Sequence, residues 1–299
     1  MFEYMTYNIA PWGYELAVYF FLIGTGGMVY VLATAPQVFG TVAQPLVPFQ
    51  KTGLIVSLVI LLFCTALLIY DLGQPARFFY PMLYFHWTSP VSWGTLFLPL
   101  FGLCIVLFWF GLYTKQEGFF GFAKASWLRL IGVLGSLLAL SMPLYTGLDL
   151  MVHQSRELWS NPTIPVLFVI LSITSGTALA AIILLVMGRM NIAVTVLLRN
   201  ILLFSVAVTF FLFWGEWVTL TYASEEQLQA WDLMNGIFAV RFWLLTLVIG
   251  TVIPLVLVIP PRLARQPLAV TVAGIAGSVG AYSFREVLLY SGQLTQLYY

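Results

Sequence analysis

A chain of 299 residues that is 61% hydrophobic, only 8% charged and of mean hydropathy +0.98 has more apolar surface than a soluble domain can bury. Twelve basic and eleven acidic side chains leave a net charge of +1, with no basic cluster, so nucleic acid is not an expected partner. Cys64 and Cys104 lie inside apolar runs with no Cys-x-x-Cys pair, which argues against an iron–sulfur cluster or structural zinc site in this chain; no metal site is expected.

In hydrocarbon the backbone must satisfy its own hydrogen bonds, and the runs lack the alternation of a barrel, so the spans are read as helices. The pattern predicts eight of them, at 12–36, 52–71, 91–113, 127–147, 164–187, 195–220, 237–259 and 268–290. The first run is too long for a cleaved signal segment and no basic lead-in precedes it, so it reads as a retained span. It carries Trp12, Glu15 and Tyr19 at about one-turn intervals. An ionised carboxylate at a helix centre costs about 2.5–3.5 kcal/mol on insertion scales, so Glu15 either snorkels to the surface or serves a function. The following "GTGGMVY" reads as a close-packing face.

Between the second and third spans, "IYDLGQPARFFYPMLYFHWTSPVSWG" gathers Asp71, Arg77 and His86. The fourth span carries Tyr145, Asp149 and His153 at intervals of four. If the helix continues past Gly147 they share a face, as either a proton relay to water or an interfacial tyrosine followed by a polar loop. Glu216 and Arg241, in the outer halves of the sixth and seventh spans, are read as neutralising each other; Glu216 is also a candidate for proton transfer. The last span has Tyr282, Glu286 and Tyr290, with Arg285 beside them.

Lys51, Lys115, Lys124, Arg129, Arg189, Arg199, Arg262 and Arg265 fall at one set of helix ends, which the positive-inside rule makes cytoplasmic. Both termini, the three longest connections and every acid except Glu117 are then extracytoplasmic. His86 and His153 are both at span ends on that one side, so no haem b is expected.

The motifs "DLGQPARF", "TSPVSWG", "YTGLDL", "ELWSNPTIPVLF", "SGTALA" and "FREVLLYSGQ" together resemble the NrfD/PsrC family of quinone-reactive membrane subunits, over most of the sequence. The resemblance implies an all-α membrane protein of two four-helix bundles, 1–150 and 151–299, with a quinone site in the first at the extracytoplasmic face. It implies menaquinone or ubiquinone as the redox ligand, a four-cluster ferredoxin-like iron–sulfur partner, and beyond that a molybdopterin subunit or a multihaem cytochrome. The setting implied is a bacterial or archaeal cytoplasmic membrane. Tyr145 matches the family tyrosine that hydrogen-bonds a quinone carbonyl; Glu15 and Val18 fall where some members have an asparagine and a histidine. A second-span acid of that subgroup falls nearer Gly73 than Asp71, which leaves Asp71 to hold Arg77 or to move protons. Quinone binding is thus expected at Tyr145, Glu15, Tyr19 and Trp12, proton transfer at Asp149, His153, Asp71 and Glu216, and ion pairs at Arg77, Arg241 and Arg285. A transporter or channel and a passive membrane anchor are the alternative readings.

Overall fold

Each long apolar run becomes a helix, the one open-ended structure that leaves no backbone group unbonded in lipid. The computed structural model describes residues 12–72, 74–113, 118–119, 122–219, 222 and 224–294. Among the described residues eight helices are long and apolar enough to cross a membrane, and the protein is a multi-pass integral membrane protein. The spans are α1 (Tyr14–Val38), α2 (Gln50–Asp71, entered through a 3-10 segment Gly40–Phe49), α4 (Pro90–Tyr113), α5 (Lys124–Met151), α6 (Thr163–Val186), α7 (Ile192–Thr219), Val240–Val258 and α10 (Pro267–Leu294). A one-turn helix α3 (Tyr80–Leu83) and a longer α8 (Glu225–Asn235) lie in connections. The seventh span is wound as a π-helix over Val240–Val252 before continuing as α9 (Ile253–Val258).

Helices α1, α2, α4 and α5 pack on one another, as do α6, α7, the seventh span and α10, and the two groups join where α1 and α5 meet α6. Helix α1 is the most enclosed of the eight. Its glycines explain why: Pro143 of α5 cannot donate to the Ala139 carbonyl one turn back, and Gly27 comes up against that carbonyl. Across the second group, Gly250 of the seventh span and Gly280 of α10 approach so closely that a Cβ on either would enter the other's backbone. Backbone cannot swing aside. Gly280→Ala is therefore expected to destabilise the protein by about 1–3 kcal/mol, read as a lower apparent Tm in detergent.

Several boundaries differ from the sequence reading by up to four residues, and one connection holds a helix. Helix α5 runs past Gly147 to Met151, because nothing at Gly147 interrupts the ladder and its lack of a side chain lets α5 approach Pro165 of α6. The stretch 222–236, read as connection, contains α8. Its start is marked by Ser224, whose Oγ accepts from the Gln227 N–H at 3.3 Å, the Ser-x-x-Gln pattern of a capping box. At the Lys and Arg end of the bundle, Arg199 Nε donates to the Val258 carbonyl at 2.7 Å, placing a cation on the carbonyl end of the seventh span.

Candidate functional site

At the acidic end of the bundle, α1, α4 and α5 meet at a pair of phenols. Tyr19 of α1 and Tyr145 of α5 are both buried, and their hydroxyls hydrogen-bond each other. Two phenols joined by one hydrogen bond use one O–H between them and leave the second O–H to donate elsewhere. The Tyr145 ring is seated against Gly94 at the start of α4, where a Cβ would press on ring atoms Cε2, Cζ and Cδ2. Gly94 is held there by the turn before it: the His86 N–H donates to Ser92 Oγ at 3.3 Å and Trp93 Nε1 donates to the Trp87 carbonyl at 2.9 Å. Phe20, next to Tyr19, packs on Phe168 of α6, with ring centroids 5.8 Å apart.

Around this pair lie four ionisable groups. Asp149, one turn beyond Tyr145 and half-buried, interacts electrostatically with both Tyr145 and His153. His153 has left the helix, but its Nδ1 lies 2.7 Å from the Asp149 carbonyl oxygen. A carbonyl only accepts, so Nδ1 carries the hydrogen and a neutral ring presents Nε2 as an acceptor. Tyr145, Asp149 and His153 are thus adjacent in space. On α1, the Glu15 carboxylate folds back over Gly13 in the first turn, where the helix dipole favours a negative charge by about 0.3–1 kcal/mol. It is close enough to Asp71 at the end of α2 for the two carboxylates to interact.

Trp12 is fixed from the other half of the protein. Its N–H donates to Gln293 Oε1 at 2.8 Å, and Gln293 Nε2 donates to its carbonyl at 3.1 Å. Its indole stacks on Trp159 at 5.3 Å and meets His153 edge-on at 5.3 Å. Trp159 is itself tied to α10 by a 2.9 Å bond from Nε1 to the Leu288 carbonyl. Trp12 therefore braces the joint between the two groups of helices.

The expected ion pairs need correction. Arg241 pairs with Glu286, not with Glu216, at 2.7 Å, because the seventh span faces α10 at that level. Glu216 Oε2 instead accepts from Asn161 Nδ2 at 2.7 Å. Arg285 is completely buried and makes no ion pair among the described residues: it donates to the Ala281 and Phe168 carbonyls and to Ser172 Oγ at 2.8–2.9 Å, over the Phe168 ring. Helix α10 turns it toward α6 and away from Glu286's side. Arg77 lies over the Tyr80 ring at 5.7 Å, and no Arg77–Asp71 pair occurs among the described residues. Sequence reasoning missed Gln293, Trp159 and Asn161. Asn161-Pro162 ahead of an apolar run carried a signal, since Asn161 Oδ1 accepts from the Thr163 N–H at 2.9 Å at the start of α6.

Residues 3–296 match the family model described as "Polysulphide reductase, NrfD". The sequence is 27% identical over 305 residues to a polysulfide reductase chain of Wolinella succinogenes, covering 96% of each. It is 27% identical over 318 residues to protein NrfD of Escherichia coli, covering 95% of each. To the putative dimethyl sulfoxide reductase membrane subunit of Halobacterium salinarum it is 22% identical over 309 residues, 95% of this protein and 70% of that one.

Proposed function

The protein belongs to the polysulphide reductase NrfD family, and on that premise we propose that it is the membrane subunit of a respiratory oxidoreductase complex, exchanging electrons between the quinone pool and an iron–sulfur partner. The observation that carries this reading is the buried Tyr19–Tyr145 pair with one hydroxyl hydrogen to spare, which joins α1 to α5 with the Tyr145 ring against Gly94 of α4. A quinone carbonyl oxygen suits that hydroxyl, since it needs one hydrogen-bond donor. When bound, that ligand supplies two-electron chemistry coupled to proton exchange. The protein's own part is to hold and to protonate. Tyr145 donates to the ring oxygen, with Tyr19 fixing its orientation. Asp149 and His153 continue outward from Tyr145 as groups that exchange protons with water, and Glu15 with Asp71 forms a second acidic group at the same end of the bundle.

In this reading the acidic end is extracytoplasmic and docks a four-cluster ferredoxin-like subunit, which passes electrons to or from a molybdopterin or multihaem subunit. The names of the relatives, a polysulfide reductase chain and a dimethyl sulfoxide reductase membrane subunit, support a reductase complex. The test is to add a menaquinol analogue to the purified complex and follow the iron–sulfur signals of the partner. Reduction or oxidation of the clusters only when this subunit is present is the expected result; the same change without it overturns the proposal.

Glu15→Gln separates holding from proton exchange. An amide still hydrogen-bonds but takes up no proton, so quinol turnover is expected to fall about tenfold or more while the assembled complex is recovered in normal yield. Unchanged turnover removes Glu15 from the proton-exchanging groups.

A further inference from the structure

A second place in the membrane has the make-up of a ligand site. Helices α6, α7, α8, the seventh span and α10 enclose a cavity of about 430 Å³ that shares no residue with the Tyr19–Tyr145 site. Its size and character are those of pockets that take small lipophilic molecules: apolar throughout, with few polar groups. Here there is one, Glu216, among Trp214, Trp217, Trp231 and Trp243.

The carboxylate is held in place. Asn161 Oδ1 is committed to the Thr163 N–H at 2.9 Å, which turns Nδ2 toward Glu216 Oε2 at 2.7 Å. A carboxylate has about four acceptor positions, and the side chains of Asn161 and Thr163 take two of them. No lysine or arginine is among the described residues that line the cavity, so a lipid phosphate would find no cation among them and would be repelled by Glu216. A neutral ring with an O–H donor meets the opposite situation: the hydroxyl donates to the carboxylate, the indoles flank the ring, and the apolar wall takes a hydrocarbon tail.

We propose that this cavity is a second quinol-binding site, with Glu216 accepting a hydrogen bond from the quinol hydroxyl. It rests on the reading that the protein handles quinones, but not on Tyr145.

The test is photo-cross-linking. The purified complex is illuminated with a menaquinol analogue carrying a benzophenone at the end of a short prenyl tail, kept reduced with dithionite, and cross-linked peptides are identified by mass spectrometry. Cross-links are expected in the peptides around Trp214–Trp217 and Trp231–Leu247, separate from those around Tyr145, and excess unlabelled quinol should remove both sets.

Glu216→Gln replaces a charged acceptor by a neutral one, and hydrogen bonds to charged groups are roughly twice as strong. Cross-linking in the cavity should fall about fivefold, with that around Tyr145 unchanged. Leu247→Trp, which fills the cavity from the seventh span and leaves the Glu216–Asn161 bond alone, should reduce it by about tenfold or more. If the cavity peptides are not labelled, or if phosphatidylethanolamine displaces the label as well as quinol does, the second site is overturned. Labelling around Tyr145 would then still support the proposed function. Labelling in the cavity alone upholds the second site and counts against the Tyr145 site, and labelling at neither overturns both.

Discussion

Tyr145→Phe is expected to lower quinol-linked turnover roughly five- to a hundred-fold while leaving assembly intact, since the loss of a hydrogen bond with its partner stranded in an apolar slot costs about 1–3 kcal/mol. The ring and its packing against Gly94 are kept; only the hydroxyl goes. The pair with Tyr19 goes with it, so the remaining phenol loses the partner that orients it. Electron transfer within the soluble partners, assayed with an artificial donor, should be unaffected. Wild-type quinol activity, or equal loss of the artificial-donor reaction, would remove Tyr145 from the site.

Gly94→Ala should reach the upper end of that range, although it adds one methyl group at a residue that touches no ligand. The new carbon falls within 3 Å of three Tyr145 ring atoms, a distance at which something must move. Helix α4 is anchored by the turn bonds at Ser92 and Trp93, so the tyrosine ring gives way and its hydroxyl leaves Tyr19. Misplacement by about 1 Å costs on the order of a hundredfold in rate, and that is the expected loss of quinol turnover. The double variant Gly94→Ala with Tyr145→Phe should be little worse than Gly94→Ala alone, because the methyl group acts through the hydroxyl that the second change removes. Additive losses would show that Gly94 acts by another route.

The eight spans and the gathering of the described acids at one end were legible in the sequence, because hydropathy and charge are local properties of the polypeptide. So was the adjacency of Tyr145 and Asp149, since an interval of four places side chains on one helix face wherever the helix persists; His153 lies beyond the end of α5 and is brought back by its bond to the Asp149 carbonyl. The partners of Arg241 and Arg285 were not legible. They depend on how α10 is rotated against α6 and the seventh span, and at interior positions every face of these helices is apolar enough to be packed inward. Glu216 illustrates the difference. Its depth suggests a cationic partner, yet the structure supplies the Asn161 amide from the turn before α6, fifty-five positions away in sequence. Tyr19 stands out in the sequence for its place one turn from Glu15, and its bond to Tyr145 emerges only from the packing of α1 on α5. Helix α8 is written into Ser224 and Gln227, a cap signal overshadowed by the polarity of the segment.

The central claim is that the Tyr19–Tyr145 pair receives the quinone. The most direct measurement is an electron cryo-microscopy map of the purified complex with excess menaquinone analogue. The account predicts a ring between α1, α4 and α5, with one oxygen about 2.6–3.2 Å from a hydroxyl of the pair. A well-ordered map in which the slot stays closed around the two tyrosines while the analogue is bound elsewhere would contradict it.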